Sequence, residues 1–222
     1  MKLLRISIAI LLFAAVPASA VQLVDFSGYD YTFPVGGGDF TAPNNYYEAL
    51  GQIQTANGAY LTTDFVNNQY TFYMLSDFIA TADTIGGLFG QYTYGPNTFI
   101  GLYEDPIGGG TPYDYGTNPQ NASAPATFVD GALILGGLSP NLTITVNLST
   151  LNGSLAGTIN WNAGSQLANL GDCTSSDFAV LGAGDPGVPV GYVWDIDGEV
   201  SLICATTATE NASWGEVKEL FR

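Results

Sequence analysis

Leu142, Ile144, Val146 and Leu148 fall on one side of an extended chain, and Thr143, Thr145 and Asn147 fall on the other. Successive strand side chains point to opposite faces, so this two-residue period marks a strand with one buried face. Short β-prone runs recur along the chain and are separated by Gly, Asn, Pro and Asp-Gly, which favour tight turns. Candidate strands cover 21–26, 29–33, 59–65, 69–75, 98–103, 142–148, 155–161 and 188–202. Residues 126–138 read as two short strands or one strand bent at Asp130-Gly131, and Asn67-Asn68 reads as a hairpin turn. Together these predict an all-β fold, an antiparallel β-sandwich that is jelly-roll-like, with a short C-terminal helix. Within the body, 44–55 is the one candidate helix, weakened only by Gly51.

The sharpest hairpin signal is Asp197-Gly198, a type I′ turn between 192–196 and 199–203. In that register Val193, Val200, Leu202 and Cys204 share the core face, with Asp195 as its one charged member. Tyr192 and Trp194 lie on the opposite face, where aromatic rings can stack on a sugar. The same stretch, Asp195-x-Asp197-Gly198-Glu199, places alternate carboxylates around a glycine, as in a calcium loop. It lacks the twelve-residue spacing of an EF-hand, so a charged turn and a calcium site both remain open. Glu104-Asp105, with Asp114 in the long polar loop over 106–125, is a second candidate cation site.

Both ends differ from this body. Lys2 and Arg5 precede an apolar run over 6–16, followed by Pro17 and Ala18-Ser19-Ala20, the pattern of a removable secretory signal peptide. The run is about 11 residues, short of the ~20 that span a bilayer. At the other end Ser213 and Glu216 fit a capping box, and Trp214, Val217, Leu220 and Phe221 keep helical spacing. A helix this short must dock on its own domain or on a partner to be stable. The expected organisation is a signal peptide over 1–20, a β domain over 21–205, and a polar linker with an amphipathic helix over 206–222.

Charge narrows the function. The chain has 4 basic and 20 acidic residues, a net charge of −16, and no histidine. Loss of Lys2 and Arg5 with the signal would leave Lys218 and Arg222 as the basic residues and lower the net charge to about −18. Such a chain repels nucleic-acid phosphates and anionic lipid surfaces. Without histidine there is no Ser-His-Asp or Cys-His nucleophile system and no imidazole zinc site. Cys173 and Cys204 are the only cysteines, and in an exported chain they read as one disulfide. Five Asn-x-Ser/Thr sequons, at Asn121, Asn141, Asn147, Asn152 and Asn211, matter only in a host that glycosylates.

Thr98-Phe-Ile-Gly-Leu-Tyr-Glu-Asp105, then Asn118-Pro-Gln-Asn-Ala-Ser123, then Ala126-Thr-Phe-Val-Asp-Gly-Ala-Leu-Ile-Leu-Gly-Gly137, resembles the body of bacterial secreted proteins of the PEP-CTERM type. The resemblance implies an exported, β-rich surface or matrix protein. The chain departs from that type in lacking Pro-Glu-Pro, a C-terminal apolar span and an Arg cluster. Its end, 213–222, looks instead like a short terminal module found on assorted exported bacterial proteins.

These readings combine into an exported, non-enzymatic structural or adhesive protein of the bacterial envelope or extracellular matrix, with no cofactor unless calcium is bound. Its expected partners are a surface polysaccharide or a matrix protein, with no nucleic acid and no membrane span after signal removal. The expected location is the periplasm, the cell surface or the medium. A carbohydrate-binding module is the first alternative. A carboxylate-dependent glycoside hydrolase is the second.

Overall fold

The computed structural model describes residues 20–33, 46–116, 124–184 and 187–204. The signal-peptide pattern up to Ser19 and the C-terminal helix lie outside them. Eleven strands form: β1 (Val21–Phe33), β2 (Tyr46–Ala56), β3 (Asn68–Leu75), β4 (Ile79–Ile85), β5 (Phe89–Tyr94), β6 (Thr98–Pro106), β7 (Ala132–Ser139), β8 (Thr143–Asn147), β9 (Gly153–Ala163), β10 (Ser175–Ala183) and β11 (Trp194–Ile203). A helix, α1 (Ala124–Val129), precedes β7, and a 3₁₀ turn spans Leu167–Leu170.

Eight of the strands close into an antiparallel barrel in the order β1-β2-β3-β6-β7-β9-β10-β11. The expected open sandwich is therefore wrong. Alternating burial is common to both architectures, and closure depends on distant pairings. β11 pairs with β1 from Val21↔Leu202 to Asp30↔Trp194, and β10 pairs with β9 from Ser175↔Asn160 to Gly182↔Gly153. The first ladder joins the first described strand to the last, and together the two leave no free edge on the ring.

The interior is filled by side chains. Phe26 and Phe72 stack with ring centroids 3.9 Å apart. Phe178, Trp161, Trp194, Ile159, Val200 and Leu202 belong to the same buried cluster. Glycine makes room for the largest ring, since a methyl at Gly153 or Gly182 would lie 2.4 Å from Trp194. Small barrels fit their taper by setting small residues against large ones in this way. At one end Leu61 and Leu170 are buried, and Thr62 and Gln166 exchange hydrogen bonds of 2.7 and 2.8 Å. Cys173 and Cys204 are joined by the expected disulfide.

β4, β5 and β8 branch from the ring. β8 pairs with the first half of β9, β5 with β8, and β4 with β5. Tyr92, Tyr94, Ile144 and Val146 from this branch belong to the barrel's core cluster. Tyr94 lies 6.4 Å from the Tyr47 ring.

Several local expectations change. The candidate helix at 44–55 is strand β2 over its described part. Tyr47, Ala49 and Ile53 pack in the core cluster, while Leu50 belongs to a second cluster on the outer face. With both faces covered, the strand loses its two-residue period. The 59–65 stretch is turn and coil, so Asn67-Asn68 is not a hairpin between strands. The first part of 126–138 lies in α1, with Asp130-Gly131 at the junction to β7. Asp197-Gly198 is not a turn, because β11 runs straight through it and Gly198 pairs with Phe26 and Val180. A methyl at Gly198 would lie 2.6 Å from the Phe26 ring, so this glycine makes room for packing.

Candidate functional site

The straight path of β11 redistributes the residues singled out in the sequence. Trp194 is 1% exposed and sits in the core. Tyr192 is also buried and packs edge-on against Tyr31 and Tyr115 on the outer face. Neither ring is free to stack on a ligand. Asp195, Asp197 and Glu199 are exposed and line up along one side of β11. Alternate strand residues stand about 7 Å apart, which makes a row of carboxylates and not a cage. Near the second candidate cation site, Glu104 accepts from Tyr70 at 2.8 Å and Asp105 accepts from Gln69 at 2.9 Å. Asp114 accepts from the Gly116 amide at 3.0 Å. Among the described residues, no three His, Cys, Asp or Glu side chains gather as a metal site would require.

A different constellation forms on the outer wall of the barrel. Strand pairing sets Tyr31 opposite Glu48 and Glu48 opposite Leu75, with Tyr73 diagonal to Glu48 across the β2–β3 ladder. The Tyr31 hydroxyl donates to Glu48 Oε2, and the Tyr73 hydroxyl hydrogen-bonds the same carboxyl. Burial raises the Glu48 carboxyl above its ordinary range, and the two hydroxyls partly offset this. Burial and the neighbouring Glu48 push both tyrosines upward, so they remain protonated donors. Tyr46, Glu48, Tyr73 and Leu75 line a depression of about 300 Å³. Tyr46 is flanked by Phe78 at 4.6 Å and Tyr73 by Phe99 at 6.4 Å, which extends the aromatic rim.

The polar loop and α1 pack on the outer wall around Tyr31. Phe128 is buried with Tyr31, Leu50 and Tyr192 in a second small core, on which Tyr113 and Tyr115 pack. Tyr113 donates to Gln52 at 2.8 Å, Thr71 donates to the Phe128 carbonyl at 2.7 Å, and Tyr192 donates to the Tyr115 carbonyl. This shelf fixes Tyr31 from behind, so the Glu48 carboxyl is held from two directions before any ligand arrives.

On the inner side of the same wall lies Asp30, fully buried. Its Oδ2 accepts from the Tyr47 hydroxyl and its Oδ1 from the Trp194 amide at 2.9 Å. Burial outweighs both bonds and pushes the carboxyl up to about 8. Enclosed in the core, it has no path to a substrate, and its role is structural.

Glu48 does not stand out in the sequence, because on the helix that 44–55 suggests it is an ordinary charged residue. One usable signal was present. Glu48 is the only charged residue between 40 and 63, in a run otherwise rich in apolar and aromatic residues.

Comparison of the chain with protein-family models, curated proteins and solved structures returned no match.

Proposed function

We propose that the protein is an exported, non-enzymatic adhesive barrel of the bacterial envelope or matrix that binds neutral carbohydrate in the Tyr46–Glu48–Tyr73–Leu75 groove. The groove carries the reading. A recessed carboxyl pre-aligned by two tyrosine hydroxyls can hydrogen-bond sugar hydroxyls, while aromatic and aliphatic walls cover the C–H faces. A net charge of −16 disfavours anionic polysaccharide and leaves neutral or amino sugars. One carboxyl lines the groove, whereas acid–base hydrolysis of a glycoside uses a pair about 5–10 Å apart. This supports binding over turnover. The 1–20 pattern and the likeness to PEP-CTERM-type secreted proteins support export, and the disulfide is compatible with an oxidising compartment.

A glycan array of neutral oligosaccharides, probed with and without calcium, tests the proposal. Titration calorimetry of the best hit then compares the protein with Glu48→Gln and Tyr73→Ala. Binding should weaken at least tenfold in Tyr73→Ala and less in Glu48→Gln. It should not depend on calcium. Failure to retain any glycan, or full binding by both variants, overturns the reading.

A further inference from the structure

Among the described residues, β4 is the one strand that pairs with a single neighbour. Among the described residues its other edge is open along Ile79–Ile85, and six of its seven residues are exposed, with Ile79 partly so. Open strand edges invite pairing, and proteins commonly blunt them with Lys, Pro or short length. β4 has no Lys or Pro, and its only charge is Asp83. One irregularity, at Ala80, lies near its start.

Its sequence, Ile-Ala-Thr-Ala-Asp-Thr-Ile, is close to a palindrome about Ala82. We infer that β4 is the pairing edge for a second copy of this chain, antiparallel to itself and centred on Ala82. In that register, over the regular part of the strand beyond the irregularity at Ala80, Thr81 faces the partner's Asp83 and Ala82 faces the partner's Ala82. Each carboxylate meets a hydroxyl, a pair that stabilises a sheet. The Ile85 carbonyl accepts from the Leu88 amide within the β4–β5 turn, so Ile85 directs its backbone inward. By alternation Ala82 and Thr84 turn their N–H and C=O groups to the open edge. Ala82 against Ala82 is then a hydrogen-bonded pair. Centring the pair on Asp83 would set two carboxylates directly opposite, and centring it on Thr81 would set Asp83 against Ile79. Of these three registers, the one centred on Ala82 alone sets each carboxylate against a hydroxyl.

Two further features favour a second copy. The described residues contain no Lys, Arg or His, so two copies repel each other over most of their surfaces. Residues 79–95 and 141–153 of the branch carry one charge between them, Asp83, so repulsion is weakest there. The branch also ends in a contiguous apolar tip. Leu88 and Leu148, joined by a 2.9 Å backbone hydrogen bond, sit with Ile85, Phe89 and Leu151, all exposed.

Sedimentation of the full chain over a concentration series, joined to cysteine cross-linking, tests this. Both native cysteines are disulfide-bonded, so an added cysteine is the sole free thiol. Ala82→Cys places its thiol opposite its own copy, where hydrogen-bonded antiparallel residues stand about 5.5 Å apart at Cα, within disulfide range. Thr84→Cys faces Ala80 and lies several positions from its own copy. The expected result is a wild-type mass of twice the chain, with oxidative cross-linking at least tenfold faster in Ala82→Cys than in Thr84→Cys. Thr84→Pro, which removes an outward donor, should sediment as a monomer with its far-UV spectrum retained. A monomeric wild type at ~100 μM, where even weak edge pairing registers, overturns the inference, and so does equal cross-linking in the two cysteine variants.

Discussion

Replacing Asp30 with asparagine tests the chemistry of the barrel interior most directly. In the folded protein, burial holds this carboxyl up to about 8, while its ordinary value is 3.8. Across that window the unfolded chain has lost the proton and the folded chain keeps it. Unfolding therefore releases a proton, and stability falls as pH rises. Below pH 4 both states are protonated and the contribution is fully present. Above about pH 8 both are ionised and the loss is complete. The difference between the two titrations corresponds to a loss on the order of 6 kcal/mol. That is comparable with the whole stability of many domains, roughly 5–15 kcal/mol. The side-chain amide of Asp30→Asn keeps the shape, with its oxygen still accepting from the Trp194 amide and its nitrogen donating to the Tyr47 oxygen, but it cannot ionise. Urea denaturation at pH 4, 6, 8 and 9, followed by tryptophan fluorescence, should show Asp30→Asn gaining on the wild type by several kcal/mol between pH 4 and 8. The gap should then stay level. Other carboxylates titrate in both proteins and cancel in the difference. A gap that stays constant with pH, or closes as pH rises, would refute the assignment of a neutral buried carboxyl.

Two further stability measurements probe the walls of the barrel. Changing Cys173 and Cys204 to Ser opens a cross-link between residues 31 apart, which should cost about 4 kcal/mol in chemical denaturation on the loop-entropy relation; a loss under 1 kcal/mol would mean that residual structure already restricts the unfolded chain without the cross-link. Gly182→Ala drives a methyl into the Trp194 ring, where its ideal position is 2.4 Å from the nearest ring atom. Overpacking of this kind should cost about 1–3 kcal/mol with a shift in tryptophan emission, and an unchanged melting temperature would show that the ring has room to move.

Much of the strand content was legible because one-sided burial writes a two-residue period into the chain. The 142–148 stretch is the clearest case, with Leu142 just before β8 and Ile144 and Val146 within it all buried as the alternation implied. Leu148, the fourth member of that pattern, is exposed at the tip of the branch, because the period says nothing about where the core ends. β2 was illegible for the opposite reason. Its outer face is covered by the shelf of α1 and the polar loop, so both sides of the strand are apolar and the period disappears. Asp197-Gly198 misled because a glycine that makes room for Phe26 has the same letters as a glycine that allows a turn.

By itself, the sequence determined an acidic, histidine-free, β-rich chain with one disulfide, since these follow from residue chemistry and local spacing. Barrel closure, the exclusion of Trp194 from the surface and the meeting of Tyr31, Glu48 and Tyr73 were decided only by tertiary structure. Each of these depends on which distant strands pair and in what register. A shift of one residue in β11 against β1 would send Trp194 outward and Asp195 inward, and only the fit of the whole interior prevents it.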